Sequence, residues 1–552
     1  MDNTSNIDAH SSEQMEQLTS PEHSAEHAVE MLQPEDIMTP PADDTSGPHA
    51  NAPDFLARYI PARLRSTSAF TTTPAVRLYP TYPLSPYLKP LPSTDPVVVA
   101  YDSGLRTKVM AFIAKMDIRW SMVGIVCAGR SDGLVTLTPS GAETTFLRVA
   151  VYPESTTVEK AKEVVAGIYT LLQSANMHED LAIEVIEAGC VVYNTNHETT
   201  MKRVKYPFEQ AYKYDPPTGS SIGIRQPRSG IDSTGTLGPL FRYLAKDGTS
   251  KYLGLTCHHV VSRSRYAITN DTPTTDIECP SQEDHDLWEK HFDHKIAFFE
   301  SYFRPLKTQQ TAQEALPPTT EARLHQGEQV SDKATQNLQH ALSFDRGLGT
   351  VFWSSGLNAD EHDDTEKANM DYGLIELDPR RFQKMDQLSN VPTTASLDRV
   401  LQKIYKDFPE QENIIEIVTR TKGQKGSIIN MMNDNHSVFK IGRTTGTTIG
   451  RLHGSKVNVR TEYSTDEGTV VVHSCEVVVF TSLTQARGSF CDLGVSGAAV
   501  YDGNANLIGT LWGGWPCKRP SGGQMDSIHC VTPIEATEEH IRRHLDGTLE
   551  FL

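Results

Sequence analysis

Three short motifs in the C-terminal half carry residue types that together can do nucleophilic chemistry. Residues 255–261 (LTCHHVV) read as an apolar strand that runs into two histidines, and residues 371–377 (DYGLIEL) as an acid that opens an apolar strand. Residues 492–502 (DLGVSGAAVYD) place a serine between glycines, just before another strand. A serine hydroxyl becomes a useful nucleophile when an imidazole accepts its proton and a carboxylate holds the other ring N–H. Each motif alone is more often structural, so their combination and order carry the interpretation.

The chain order of these motifs is His, then Asp, then Ser, which is the order of chymotrypsin-like triads and not of subtilisin or the α/β-hydrolases. Residues 255–261 look like the Thr-x-x-His-Val-Val strand of trypsin-like peptidases, and residues 370–375 like their Asp-x-Ala-Leu-Ile strand. Residues 494–498 (GVSGA) look like Gly-Asp-Ser-Gly-Gly, and residues 440–446 (KIGRTTG) like a Gly-Arg-Thr-Thr-Gly turn. Over residues 217–545 the chain thus resembles the trypsin-like (chymotrypsin-fold) serine peptidase family, most closely its intracellular fungal and bacterial branch.

The resemblance implies a role for each motif residue. It makes Ser496 the nucleophile, His259 and not His258 the base, and Asp371 the carboxylate that orients the imidazole. The backbone N–H groups of Gly494 and Ser496 would form the oxyanion hole. The implied activity is that of a serine endopeptidase, which needs no cofactor and no metal ion.

The resemblance also implies where a substrate would lie. The strand that follows the serine, with Leu511, Trp512, Gly513 and Gly514, is similar to the strand that pairs with a bound peptide. Residues 488–493 would line the specificity pocket with it. We expect an uncharged or apolar residue just before the cleaved bond.

One departure from the family pattern concerns activation. Val495 stands where the family usually has the aspartate that pairs with a new N-terminal amine, and the domain begins mid-chain near residues 220–224. Activation by insertion of a new N-terminus is therefore not expected. The oxyanion loop is either preformed or ordered by a partner or the tail. Alternatively it is permanently misformed, which would make the chain a catalytically inactive pseudo-peptidase that acts as a binding or sensing scaffold.

Three other chemistries fit the motifs less well. An α/β-hydrolase needs its acid and histidine after the serine, and the 56 residues after Ser496 leave no room for the remaining sheet. His258 and His259 would point to opposite faces of a strand, so one metal ion could not easily bind both. Cys257 and Cys491 lie outside the Gly-x-Ser-Gly segment, and we interpret them as ordinary buried thiols.

The fold class expected for the whole chain is multidomain. Residues 217–552 are predicted to form an all-β double β-barrel of the chymotrypsin-like kind, because short strands alternate with turn residues. Residues 282–345 interrupt it as a polar helical insertion, which accounts for the 112 positions between His259 and Asp371. We expect this insertion to be a tolerated surface element or, as a hypothesis, to gate the site or bind a regulatory protein.

Two further segments precede that domain. Residues 1–94 are rich in Pro, Ser, Thr and acids without apolar periodicity, which predicts a disordered acidic tail that could also dock a regulatory partner. Residues 95–216 read as a small α/β (α+β) domain of unknown role. In it we predict strands at 120–127, 145–152 and 181–186, and a helix that starts near residue 157.

Composition excludes several classes of function. The net charge is −19, and residues 1–50 hold eleven acidic residues and no Lys or Arg. Nucleic-acid binding needs clustered positive charge, so we do not expect it here. Eight cysteines without a CxxC pair argue against a disulfide framework and a zinc ribbon. The absence of a long apolar run and of an apolar leader predicts no membrane span and no secretion. We therefore expect a cytoplasmic protein, with the nucleus as an alternative, whose main partner is a polypeptide substrate.

Overall fold

The structure is a computed structural model that describes residues 75–76, 87–129, 144–178, 181–193, 208–225, 233–269, 272, 274–311, 317–359, 367–390, 424–434, 436–481, 490–515 and 527–552. The prediction for the tail, residues 1–94, falls mostly outside these residues. In the described part of the chain, no helix is both long and apolar enough to cross a bilayer.

Strands dominate the described residues. In chain order they are β1 (Ala75–Val76), β2 (Tyr87–Lys89), β3 (Trp120–Gly129), β4 (Thr144–Val151), β5 (Ala182–Glu187), β6 (Val191–Val192), β7 (Ser221–Ile224), β8 (Thr234–Thr236), β9 (Leu240–Ala245), β10 (Ser250–Thr256), β11 (Asp276–Glu278), β12 (Gly347–Ser354), β13 (Asn358–Ala359), β14 (Asn369–Met370), β15 (Gly373–Leu377), β16 (Gln424–Lys425), β17 (Ser437–Gly442), β18 (Gly446–Leu452), β19 (Val457–Thr465), β20 (Gly468–Thr481), β21 (Ala499–Asp502), β22 (Asn506–Trp515), β23 (Ile528–Pro533) and β24 (Gly547–Phe551).

The helices lie mainly at the edges of this β structure. They are α1 (Pro96–Ala100), α2 (Arg106–Ile113), α3 (Val158–Ser174), α4 (Phe208–Ala211), α5 (His258–Val261), α6 (Gln282–Thr311), α7 (Pro318–Ser343), α8 (Ile428–Met431) and α9 (Ile534–His544). A π-helical turn, Tyr101–Leu105, joins α1 to α2, and single 3₁₀ turns occur at Pro379–Arg381, Met385–Gln387 and Met432–Asp434.

Two sheets hold most of the strands. An eight-stranded sheet has the order β24-β9-β10-β15-β12-β11-β7-β8, and a fourteen-stranded sheet runs β1-β5-β4-β3-β19-β20-β18-β17-β21-β22-β16 with β2, β6 and β23 attached at its side. Within the larger sheet, β17, β18, β20, β23, β22 and β21 each pair with two others and form a closed ring. The described part of the chain is therefore β-rich, with two large sheets and the small pair β13-β14, as the strand pattern of the C-terminal half predicts.

Alternating burial explains why these segments form strands. In β19, apolar and polar residues alternate so that every second side chain is buried, and the first half of β20 alternates in the same way. The second half of β20, from Ser474 on, is buried on both faces because it lies inside the ring. The β pattern of the sequence thus follows from one-sided or two-sided burial.

The segment 95–216 folds as an edge of the larger sheet, on which α3 packs. Thr157 caps α3 by accepting a hydrogen bond from Lys160 N at 3.2 Å, which confirms the predicted helix start. The predicted strands appear as β3, β4 and β5. Strand β3 pairs with β19 at Met122 and Val123, so this segment and the C-terminal strands share one sheet. The domain boundaries proposed from the sequence stay predictions.

The predicted insertion consists of two long helices, α6 and α7. They pack with the short α4 around an aromatic cluster that includes Phe208, Trp288 and Phe292. The insertion therefore has a small apolar core of its own. The first turn of α6 also forms ion pairs with Arg443, outside the insertion.

Candidate active site

Strand pairing brings two of the predicted catalytic residues together. Strands β10 and β15 are antiparallel, with Thr256 opposite Gly373. His259 follows β10 by three residues and Asp371 precedes β15 by two, so their side chains meet at the same end of the strand pair. Their separation of 112 positions in sequence does not keep them apart, because strand register sets their distance in space.

The histidine sits on a helical turn and not on a strand. Residues 258–261 form α5, one turn immediately after β10, which corrects the expectation that the strand runs into the histidines. Nε2 of His258 donates to Ser264 O at 2.6 Å and its Nδ1 lies 2.9 Å from Ser354 Oγ, while burial lowers its pKa. His258 is thus held by Ser264 and Ser354, whereas His259 bonds to Asp371.

His259 and Asp371 form a tight pair. Nδ1 of His259 donates to Asp371 Oδ2 at 2.5 Å, and the backbone N–H of His259 donates to Oδ1 at 3.1 Å. The Tyr463 hydroxyl donates to Oδ2 at 3.1 Å and accepts a bond from Asn369 Nδ2 at 2.6 Å. These contacts fix the imidazole tautomer with its proton on Nδ1, so that Nε2 is left to act as a base.

The Asp371 carboxylate stays charged although it is fully buried. Burial by itself raises the pKa of Asp371, but the His259 charge and hydrogen bonds more than offset this effect and lower the pKa below its usual value. A carboxylate that remains ionised can stabilise an imidazolium during a reaction.

Ser496 lies in a tight loop before β21, between two glycines with positive φ. Gly494 has φ of 87° and Gly497 of 91°, values that favour glycine. A β-carbon on Gly497 would lie 2.3 Å from Thr256 Oγ1, so the loop packs directly against the end of β10. Thr236 adds two anchors, because its N–H donates to Ser496 O at 2.8 Å and its hydroxyl to Gly494 O at 3.1 Å.

The Ser496 hydroxyl makes no hydrogen bond with the imidazole of His259. It donates to Trp512 O at 3.0 Å, and among the residues that the structure describes Nε2 of His259 has no hydrogen-bond partner. Both groups are buried. The predicted serine and the His–Asp pair share Cys257 as a neighbour, because this thiol contacts the Ser496 side chain and lies within 4.8 Å of single atoms of His259 and Asp371.

Two backbone donors converge on one oxygen in front of Ser496. Gly494 N donates to the carbonyl oxygen of Tyr193 at 2.7 Å, and Ser496 N to the same oxygen at 3.3 Å. The Gly494 N–H, predicted for the oxyanion hole, therefore points together with that of Ser496 at the Tyr193 carbonyl. We call the space that residues 191–193 occupy, between the serine loop and β22, the cleft. Val495 between them is fully buried in an apolar cluster.

The predicted peptide-binding strand also has a partner. Gly513 and Gly514 pair antiparallel with Val192 and Val191 of β6, and Trp512 O accepts a hydrogen bond from Tyr193 N at 3.1 Å. Leu511, earlier in the same strand, belongs to the same apolar cluster as Tyr193. Of the predicted pocket loop 488–493, only residues from 490 on are described.

Sequence reasoning missed the closeness of Cys257. Its Sγ and single atoms of His259 and Asp371 all lie within 4.8 Å of one another, a grouping that could in principle hold a metal ion. Burial raises the pKa of this thiol well above its usual value, and the nearby Asp371 charge adds to the effect. A protonated thiol is a poor metal ligand and a poor nucleophile, and His259 Nδ1 is already bonded to Asp371.

Arg443 and its acidic partners were also missed, although the Gly-Arg-Thr-Thr-Gly segment pointed to this region. The buried Arg443 donates to Asp284 Oδ2 at 2.7 Å through Nε and to Glu283 at 3.0 Å. Thr444 Oγ1 donates to Leu493 O at 2.6 Å. Arg443 and Thr444, neighbours in the turn after β17, therefore both contact the serine loop.

Comparison with known proteins gives no direct identification. The chain matches no family model and none of the curated proteins.

Proposed function

We propose that the chain is a serine endopeptidase in which Ser496, His259 and Asp371 form the catalytic triad. The proposal includes a chymotrypsin-like arrangement of two β-barrels, one from the eight-stranded sheet and one from the six-strand ring of the larger sheet. Its support is that His259 and Asp371 flank two paired strands of the smaller sheet, β10 and β15, while Ser496 lies in the loop that enters the ring. In a chymotrypsin-like fold the active site lies between the two barrels, and the three residues of the proposed triad would lie there.

The proposed reaction follows from the roles of these groups. His259 Nε2 takes the Ser496 proton as Oγ attacks the peptide carbonyl, and it then gives that proton to the leaving amine. Asp371 stabilises the imidazolium that forms between the two steps. The N–H groups of Gly494 and Ser496 hold the oxyanion, and such a donor is worth about 3–4 kcal/mol of barrier.

The observation that carries this proposal is the convergence of the Gly494 and Ser496 N–H groups on one carbonyl oxygen, beside the His259–Asp371 pair. An oxyanion hole needs two preorganised donors aimed at one point next to the nucleophile.

One observation favours the alternative, a catalytically inactive scaffold with the same fold. The Ser496 hydroxyl is bonded to Trp512 O and not to His259. Activity requires the serine to rotate about its Cα–Cβ bond into another staggered rotamer, a change that is cheap in a side chain with one rotatable bond. The proposal therefore needs this rotation, and the alternative needs the observed rotamer to persist.

A fluorophosphonate probe separates the two. The probe is an activated phosphorus electrophile, and an active serine displaces its fluoride to form a stable P–O bond. Because Tyr193 fills the cleft, the full-length chain is labelled both as wild type and as Tyr193→Ala. We expect labelling in Tyr193→Ala that is lost when Ser496→Ala is added and kept when the exposed Ser174→Ala is added instead.

Absence of labelling in folded wild type and folded Tyr193→Ala would support the inactive scaffold. Folding is checked for each variant by circular dichroism and a thermal melt. Labelling that survives Ser496→Ala would place the nucleophile elsewhere and end the triad assignment.

A further inference from the structure

The cleft of the candidate active site is occupied by the chain itself. Strand β6 adds to β22 in an antiparallel manner, with Val192 opposite Gly513 and Val191 opposite Gly514. Extended peptides that bind by adding a strand obtain their affinity from such main-chain hydrogen bonds. Residues 191–193 therefore lie where the proposed peptidase would bind the residues preceding a cleaved bond.

The carbonyl group of Tyr193 lies at the position of a scissile bond. Its oxygen accepts hydrogen bonds from both proposed oxyanion donors, at 2.7 Å from Gly494 N and 3.3 Å from Ser496 N. On its other side Tyr193 N donates to Trp512 O at 3.1 Å. Held at both ends, this residue presents its carbonyl carbon to the Ser496 loop.

The Tyr193 side chain fills a pocket that fits it closely. The ring is fully buried among apolar side chains, including Phe490, Cys491 and Leu511. A β-carbon on Gly514 would lie 2.6 Å from the Tyr193 hydroxyl, so a glycine at this position leaves the room that the phenol needs. The pocket is thus shaped for a large aromatic residue.

A histidine at the end of the pocket recognises the phenol hydroxyl. Nδ1 of His529 lies 2.7 Å from Tyr193 Oη, and its Nε2 lies 3.1 Å from Thr481 Oγ1. Burial, with a smaller contribution from the Lys440 charge, lowers the pKa of His529 to about 3, so the ring is neutral at physiological pH. A neutral imidazole with one proton can serve one neighbour as donor and the other as acceptor.

We propose that the chain is its own substrate: it cleaves the peptide bond after Tyr193 within the same molecule, through a pocket that selects tyrosine by the His529 contact. This inference rests on the proposed function and names a substrate for that site. Until residues 191–193 leave the cleft, they exclude other polypeptides from it.

The step uses only the groups already described and water. Ser496 Oγ bonds to the Tyr193 carbonyl carbon, the bond from that carbon to the nitrogen of residue 194 breaks, and His259 carries the serine proton to the new amine. Water then attacks the ester, the Ser496 Oγ–carbon bond breaks, and the proton returns to the serine. The products are a Tyr193 carboxylate and a chain that begins at residue 194.

The test compares the full-length wild type with Ser496→Ala by intact mass and by sequencing of any new N-terminus. We expect wild type to separate into residues 1–193 and 194–552, at a first-order rate that does not change over a tenfold range of protein concentration. We expect Ser496→Ala to remain one chain. Cleavage of Ser496→Ala after Tyr193 would mean that another peptidase is responsible and would overturn the inference.

Variants of Tyr193 test the selection of tyrosine. Tyr193→Phe keeps the ring and loses only the bond to His529, so we expect cleavage about ten times slower, since a buried hydrogen bond is worth roughly a factor of ten. We expect Tyr193→Ala to be slower by a further factor of ten or more. The matched controls Tyr302→Phe and Tyr302→Ala, at an exposed tyrosine, should cleave at the wild-type rate. Equal rates for wild type and Tyr193→Phe would overturn the role of His529.

The probe distinguishes failure of this inference from failure of the proposed function. If wild type stays whole while the probe labels Ser496 in Tyr193→Ala, the peptidase stands and residues 191–193 are only an inhibitor, so the inference falls. If neither cleavage nor labelling occurs in folded protein, both fall.

Discussion

Arg443 packs directly against Gly494, the glycine whose N–H points into the cleft. A β-carbon at position 494 would lie 2.1 Å from Arg443 Nη1 and 2.8 Å from Thr444 Oγ1. Arg443 is itself held by Asp284 and Glu283 in the first turn of α6. The helical insertion is thus linked to the serine loop through Arg443, which pairs with α6 and contacts Gly494. The neighbouring Val495 has no charge with which to make an ion pair of its own.

This relationship makes Asp284 a positioning residue. Asp284→Asn keeps the shape of the side chain but removes half of a buried ion pair, a change that usually costs 3–5 kcal/mol when the partner charge stays buried. Because Glu283 still contacts Arg443, we expect a smaller loss of about 2–3 kcal/mol in the free energy of unfolding, measured by urea denaturation. We also expect fluorophosphonate labelling, measured for this and the other loop variants in the Tyr193→Ala background, to slow by about tenfold or more in the folded variant.

Asp286→Asn is the matched control for this change. Asp286 lies one half-turn further along α6 and accepts a bond from Gln282, in a part-buried site. We expect a stability change within about 0.5 kcal/mol and unchanged labelling. If the probe labels Asp284→Asn as fast as Asp286→Asn, Asp284 is not a positioning residue.

Gly494→Ala should disrupt the serine loop itself. A φ of 87° is strained for alanine by about 1–3 kcal/mol, and the added methyl group must also displace the buried Arg443. We expect a loss of stability of at least that size and loss of fluorophosphonate labelling. In the control Gly503→Ala nothing lies within 4 Å of the added carbon, so both readouts should stay near wild type.

Stability should depend on pH through Glu476, which is buried beside the site. One oxygen accepts a bond from Asn369 N at 2.8 Å, the other lies 3.4 Å from Trp512 Nε1, and burial raises the pKa to about 7. In the unfolded chain the Glu476 carboxyl has its ordinary pKa of about 4.5, so between pH 4.5 and 7 it is ionised there but still protonated in the folded chain. The free energy of unfolding therefore falls as pH rises through this range. The full effect is roughly 3 kcal/mol, at about 1.4 kcal/mol for each pKa unit.

Glu476→Gln removes this titration. We expect its stability relative to wild type to rise by up to roughly 3 kcal/mol between pH 5 and pH 8, on top of any constant cost of the altered hydrogen bonds. Thermal melts at several pH values measure the difference. A stability difference between Glu476→Gln and wild type that stays constant over this pH range would contradict the prediction.

Local sequence patterns determined most of the elements. The Thr157 cap and the apolar spacing after it predict α3, and the polar helix-forming stretch 282–345 predicts the helical insertion that α6 and α7 form. These succeed because capping and one-sided burial are decided by residues close together in sequence. The apolar run before His258 and His259 predicts a strand that ends at them, and the short turn α5 escapes this prediction because four residues show no periodicity.

For the site, sequence alone indicated the three motifs and their order, and the family resemblance singled out His259, Asp371 and Ser496. It could not indicate that Tyr193 lies in the cleft, that Arg443 stands behind Gly494 or that Cys257 adjoins the imidazole. Those contacts join segments up to 300 residues apart, as in the hydrogen bond from Gly494 to Tyr193. They depend on strand register and on the packing of two sheets against each other, which no local pattern encodes, so only the tertiary structure decided them.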